Sequence, residues 1–176
     1  MILLLNKHPA DPIQQITSQL MQPIPIEIWQ HILSFSTFKN QITLTRISKI
    51  FHEKLQIHEF YHIDPKYLKL LTNHIITHYP QIRSLDVEDN PNITNINHLT
   101  QLTKLNASGF CGLDDHGINQ LNIIELDVCD NPKIININHM TQLKKLNAGG
   151  HCGLDDSGIT RLNLIELDVR NKPNKS

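Results

Sequence analysis

The chain has 176 residues, enough for one ordinary domain or for a small docking segment followed by a short repeat array. Its 16 basic and 17 acidic residues leave a formal net charge of -1, so charge alone draws it neither to nucleic acid nor to a membrane. Cys111, Cys129 and Cys152 form no CxxC pair and no even-numbered disulfide framework, which excludes a disulfide scaffold and fits reduced thiols in the cytoplasm or nucleus.

Residues 1–23 read as a partly helical N-terminal extension. The apolar run Ile2, Leu3, Leu4, Leu5 is too short for a signal peptide or a spanning helix, and Asp11-Pro12 opens a helix that runs through Leu20. Residues 24–63 form the next unit. Pro25 fits a first helical turn, and Ile28, Ile32 and Phe35 fall on one face; after the polar break at Lys39-Asn40, Leu44, Ile47, Phe51 and Leu55 make a second stripe. About 32 residues of short amphipathic helices cannot close a core unaided, so this apolar surface meets a partner or the adjoining chain.

The same segment resembles an F-box. Ile24-Pro25, Glu27, Ile32-Leu33-Ser34-Phe35, Leu44, Ile47-Ser48-Lys49 and Phe51 stand where the family carries Leu-Pro, an acidic residue, Ile-Leu-Ser-Tyr, leucine, Val-Cys-Lys and tryptophan. Ser36 and Gln41 depart from it, standing where leucine is preferred. The resemblance implies binding to a Skp1-like adaptor, and through it to cullin, by Ile24, Pro25, Ile28, Ile32, Leu33 and Leu44.

Over residues 64–81, Asp64-Pro65 opens a predicted helix with Tyr67, Leu68, Leu71, Ile75 and Tyr79 at helical spacing up to Pro80. It is placed to cap the array that follows, because an isolated repeat exposes its apolar faces.

Residues 82–176 repeat themselves. Residues 85–128 recur 41 positions later, and each unit divides at leucines Leu85, Leu105, Leu126, Leu146 and Leu167, spaced 20 or 21 apart, each opening an LxV or LxA strand. This is the leucine-rich-repeat pattern, complete in Ile82 to Asn90, with Asn90 and Asn131 expected to bond the backbones of neighbouring coils. The alternate coils, from Gly109 to Ile118, resemble the cysteine-containing repeats of F-box proteins, with Cys111 one position late; the additional residue predicts a small bulge. Asp115 and Asp156 are expected to N-cap short helical turns. After Leu167-Asp168-Val169 the sequence shows no capping element, only a charged, proline-containing stretch.

The expected fold is therefore α/β: an N-terminal helical F-box followed by a short leucine-rich-repeat solenoid of about five strands, with a parallel sheet on its concave face. Three exposed rows follow from the register: Ser84, Lys104, Glu125, Lys145, Glu166; then Asp86, Asn106, Asp127, Asn147, Asp168; then Glu88, Ser108, Cys129, Gly149, Arg170. The first two can satisfy themselves by neighbouring pairs. The irregular third row supplies the target-binding candidates Glu88, Ser108, Cys129 and Arg170, together with Phe110 and His151 at the neighbouring corner.

The paired aspartates recur with the period of the fold and lack ligands at metal spacing. The 11 histidines form no catalytic cluster. No cofactor, metal or enzymatic activity is expected. The function implied is that of a non-catalytic substrate-recognition adaptor of a Skp1-cullin-F-box ubiquitin ligase, which would hold an unidentified target protein on its repeats. The alternative is a non-ligase scaffold, or a decoy that occupies Skp1. Few, near-identical repeats rich in isoleucine and asparagine also resemble F-box families encoded by giant DNA viruses of amoebae, which would place the protein in a host cell.

Overall fold

The computed structural model describes residues 27, 30, 40, 56–61 and 65–171. The N-terminal extension, the residues implied to bind Skp1 (Ile24, Pro25, Ile28, Ile32, Leu33 and Leu44) and residues 172–176 lie outside the described residues. Glu27, Gln30 and Asn40 are helical. The Gln30 side chain holds the backbone of Gln56 from both sides: its Nε2 donates to the Gln56 carbonyl at 2.8 Å and its Oε1 accepts the Gln56 N–H at 2.8 Å.

The described part is α/β, with few and short helices around one parallel sheet. Its strands are β1 (Glu59–Phe60), β2 (Ser84–Asp86), β3 (Lys104–Asn106), β4 (Glu125–Asp127), β5 (Lys145–Asn147) and β6 (Glu166–Asp168), each pairing with the next in chain order. Leu85, Leu105, Leu126, Leu146 and Leu167 stand level across the sheet, so the five recurring strands were placed correctly by the sequence spacing. In each of these strands the leucine turns inward, and the residues before and after it turn to the open face. One core follows the whole ladder: Leu85, Val87, Ile93, Ile96 and Leu99 in one coil, and Leu126, Val128, Ile134, Ile137 and Met140 in its equivalent, are all buried.

A sixth strand corrects the expected five. Phe60 is level with Leu85, twenty-five positions on, and both Ile57 and Phe60 are buried. Phenylalanine in place of leucine, and a longer spacing, hide this coil from a search for the repeat.

The single helix expected over Pro65 to Tyr79 is also corrected. Two turns form instead, α1 (Pro65–Leu68) and α2 (Asn73–Ile76), because Thr72 is extended at φ -131° and N-caps α2 by accepting the Ile75 N–H. Leu68, Leu71 and Ile76 are buried, whereas Tyr67 and Ile75, predicted for the inner face, are exposed. At the break Leu68 O accepts the Leu71 N–H at 3.0 Å, and Asn90 Nδ2 donates to the carbonyls of Leu68 and Leu71 at 2.6 and 3.1 Å. Residues 71–76 thus repeat the arrangement of α3 (Asp115–Ile118) and its preceding residues: Leu71 corresponds to Leu113, Thr72 to Asp114, Asn73 to Asp115, His74 to His116 and Ile76 to Ile118. The expected cap is itself a coil of the array.

The caps of the later turns shift by one residue from the expectation. Asp114 caps α3 and Asp155 caps α4 (Asp156–Ile159), each accepting the N–H three residues on. Asp115 reaches forward instead, its Oδ1 accepting the N–H groups of Ile135 (2.8 Å) and Asn136 (3.2 Å) in the next coil. Asn73 does the same for Thr94 at 2.9 Å. Both carboxylates of a pair look equivalent in sequence; only the direction of the chain at the turn separates a cap from a cross-coil tie.

Asn131 bonds the preceding coil as expected. Its Nδ2 donates to Ala107 O at 2.9 Å and lies 3.2 Å from Cys111 Sγ, while Cys111 Sγ donates to Ala107 O at 3.1 Å. At the last strand Leu167 and Val169 are 45% and 46% exposed, against 3% and 0% for their equivalents Leu126 and Val128.

Candidate binding face

The open face of the sheet carries the rows read from the sequence. In the first, Lys104 pairs with Glu125 at 3.3 Å, and Lys145 lies 3.9 Å from Glu125 and 3.5 Å from Glu166. At the β1 end Lys104 also sits 4.7 Å from the ring centre of Tyr61. Burial, followed by the nearby charges of Asp86, Asp127, Glu125 and Glu88, raises the Tyr61 phenol above its ordinary pKa.

The second row shapes the chain as well as the surface. Each of Asp86, Asn106, Asp127, Asn147 and Asp168 turns its Oδ1 onto the N–H two residues ahead, at 2.9 to 3.2 Å. These local bonds end every strand at the same level and present the third row beyond it. Asn147 Nδ2 further donates to Asp127 Oδ2 at 2.9 Å.

Beyond the strand ends the chain turns through a left-handed residue: Asp89 (φ 51°) or Asp130 (φ 56°) in one kind of coil, Gly109 (φ 65°) or Gly150 (φ 59°) in the other. Asp89 Oδ1 accepts the N–H of Phe110 at 2.9 Å, and Asp130 Oδ1 accepts that of His151 at 2.8 Å. A Cβ on Gly109 or Gly150 would collide with those same carboxylates. Phe110 and His151 are the additional residues of the 21-residue spacing. The predicted bulge thrusts them outward, while Cys111 and Cys152 return to the core.

This corner encloses a shallow recess of about 640 Å³. Five of the six target-binding candidates line it: Glu88, Ser108, Phe110, Cys129 and His151. Arg170 does not; its guanidinium is held on Asp168, with Nη2 to Oδ2 at 2.6 Å, one coil farther along. Sequence reading missed Asp89, Asp130 and Pro132, which also line the recess. Their signal was present, since Asp89-Asn90-Pro91 recurs as Asp130-Asn131-Pro132, but the corner asparagines alone drew the structural reading.

The recess is acidic. Burial, then the charges of Asp86 and Asp89, raise the Glu88 carboxyl above its ordinary value. The backbone N–H of His151 and the thiol of Cys129 hold Asp130 low, so it stays ionised. Burial pushes the Cys129 thiol up to about 11, with the adjoining Asp130 adding to the rise. That thiol is no nucleophile at neutral pH. Among the described residues, no group of three or more His, Cys, Asp or Glu side chains could hold a metal ion, and no helix is long and apolar enough to cross a membrane.

No family model matches the chain, and no curated protein matches it significantly.

Proposed function

We propose that the chain is the substrate-recognition subunit of a Skp1-cullin-F-box ubiquitin ligase, acting in the cytoplasm or nucleus. The observation that carries this reading is the order of its parts. A segment with the F-box residues Ile24-Pro25, Ile32-Leu33 and Leu44 precedes a repeat array with an open sheet face. The array's coils, with their buried leucines and corner asparagines, support reading it as a leucine-rich-repeat solenoid. Gln30, inside the F-box-like segment, is bonded through both side-chain polar atoms to Gln56 at the head of the array, which supports one continuous adaptor. Skp1 would take the apolar stripe of Ile24, Pro25, Ile28, Ile32, Leu33 and Leu44, while the sheet face holds a target. The chain performs no chemistry; it raises the effective concentration of target lysines near the cullin-bound conjugating enzyme.

Co-purification of the full chain with Skp1, beside a Pro25→Ala, Ile32→Asp, Leu33→Asp variant, tests the reading. Binding by the parent and loss in a variant with unchanged circular dichroism is the expected result. A folded parent that leaves Skp1 behind would overturn it.

A further inference from the structure

We infer that the recess beside Phe110 docks a basic, extended segment of a partner protein: a lysine or arginine enters among Glu88, Asp89, Asp127 and Asp130, and an apolar neighbour rests on Phe110. The inference deepens the target-holding half of the proposed function and is separable from the Skp1 contact.

Charge complementarity fixes the chemistry of the occupant. Four carboxylates line the recess and no lysine or arginine does. The cations elsewhere on the sheet face are engaged: Lys104 and Lys145 with Glu125 and Glu166, and Arg170 with Asp168. Asp89, Asp127 and Asp130 accept from backbone N–H groups, the Asn147 amide and the Cys129 thiol, all uncharged donors that orient the carboxylates and leave their charge in place. A nucleic acid is repelled by such a surface, and no grouping of these side chains suits a metal ion, which leaves an organic cation.

Phe110 is an independent mark of contact. Its side chain is 82% exposed at the lip of the recess. The fold does not require an apolar phenyl ring there, because the polar imidazole of His151 occupies the equivalent position one repeat unit later with the same backbone bond. An uncovered ring beside carboxylates offers apolar contact to the stem of a lysine and a face to its ammonium.

The test is fluorescence anisotropy of the full chain with a fluorescein-labelled peptide GKLKGKLKG, beside GELEGELEG. Glu88→Gln, Asp89→Asn and Asp130→Asn together remove charge while keeping the oxygen acceptors, and asparagine tolerates the left-handed backbone at 89 and 130. The basic peptide alone is expected to bind, about tenfold more weakly to the triple variant and several-fold more weakly to Phe110→Ala. Asp156→Asn, which removes a charge remote from the recess, is expected to leave binding unchanged. Equal binding of the two peptides, no binding of the basic one, or undiminished binding by the triple variant would each overturn the inference. Because Skp1 takes no part, failure of the adaptor reading leaves this result legible.

Discussion

Asn131 donates its amide to the Ala107 carbonyl at 2.9 Å, fastening one coil to the coil before it. The same amide lies 3.4 Å from Leu113 O, its Oδ1 accepts the Lys133 N–H at 2.9 Å, and the residue is fully buried. An alanine here would leave the Lys133 N–H without this acceptor and the buried Ala107 carbonyl with only the weak Cys111 thiol as donor. Asn131→Ala is expected to destabilise the array by about 2 to 4 kcal/mol, read as a lower midpoint in urea unfolding.

The two aspartates at each turn divide their work unequally in the last coil. Asp155 caps α4, whereas Asp156 has no following coil among the described residues to tie. Asp155→Ala is expected to cost about 1 kcal/mol and Asp156→Ala less than about 0.5 kcal/mol. Thermal melts of the pair check the assignment, and equal losses would contradict it.

Lys145 lies between Glu125 and Glu166 with its side chain half exposed. Solvent screens both pairs, so Lys145→Ala is expected to change stability by less than about 1 kcal/mol, and by less still in high salt. Chemical denaturation at two ionic strengths measures this.

Cys129 gives a pH signature. Burial and the neighbouring Asp130 hold its thiol protonated to about 11, so the reactive thiolate appears only as pH rises towards that value. Iodoacetamide labelling of Cys129, followed by peptide mass spectrometry, is expected to accelerate steadily from pH 8 through pH 10. An ordinary thiol, with a pKa of about 8.5, would already flatten between pH 9 and pH 10. Asp130→Asn removes part of the cause and should shift the profile to lower pH.

Much of the array was legible because its period is written in inward-facing residues. Leu85 to Leu167 gave the register of five strands, and Asn90 and Asn131 declared their corners. What escaped were features set by backbone direction. Thr72 broke a helix whose apolar spacing ran on past it, and Phe60 built a strand outside the period. The choice between Asp114 and Asp115 as cap depended on which residue was extended. For the recess, the irregular third row pointed to the right corner through Glu88, Ser108 and Cys129. Arg170 shares their row but belongs to the last strand, where Asp168 takes it up.

The adaptor reading meets its most direct test in size-exclusion chromatography of the full chain with purified Skp1 and the N-terminal domain of a cullin. The expected result is one stoichiometric ternary peak, reduced to Skp1 and cullin alone when Leu33→Asp replaces the parent. A folded chain eluting apart from a Skp1-cullin complex would contradict the account, and a chain that takes up Skp1 while excluding cullin would make it a decoy.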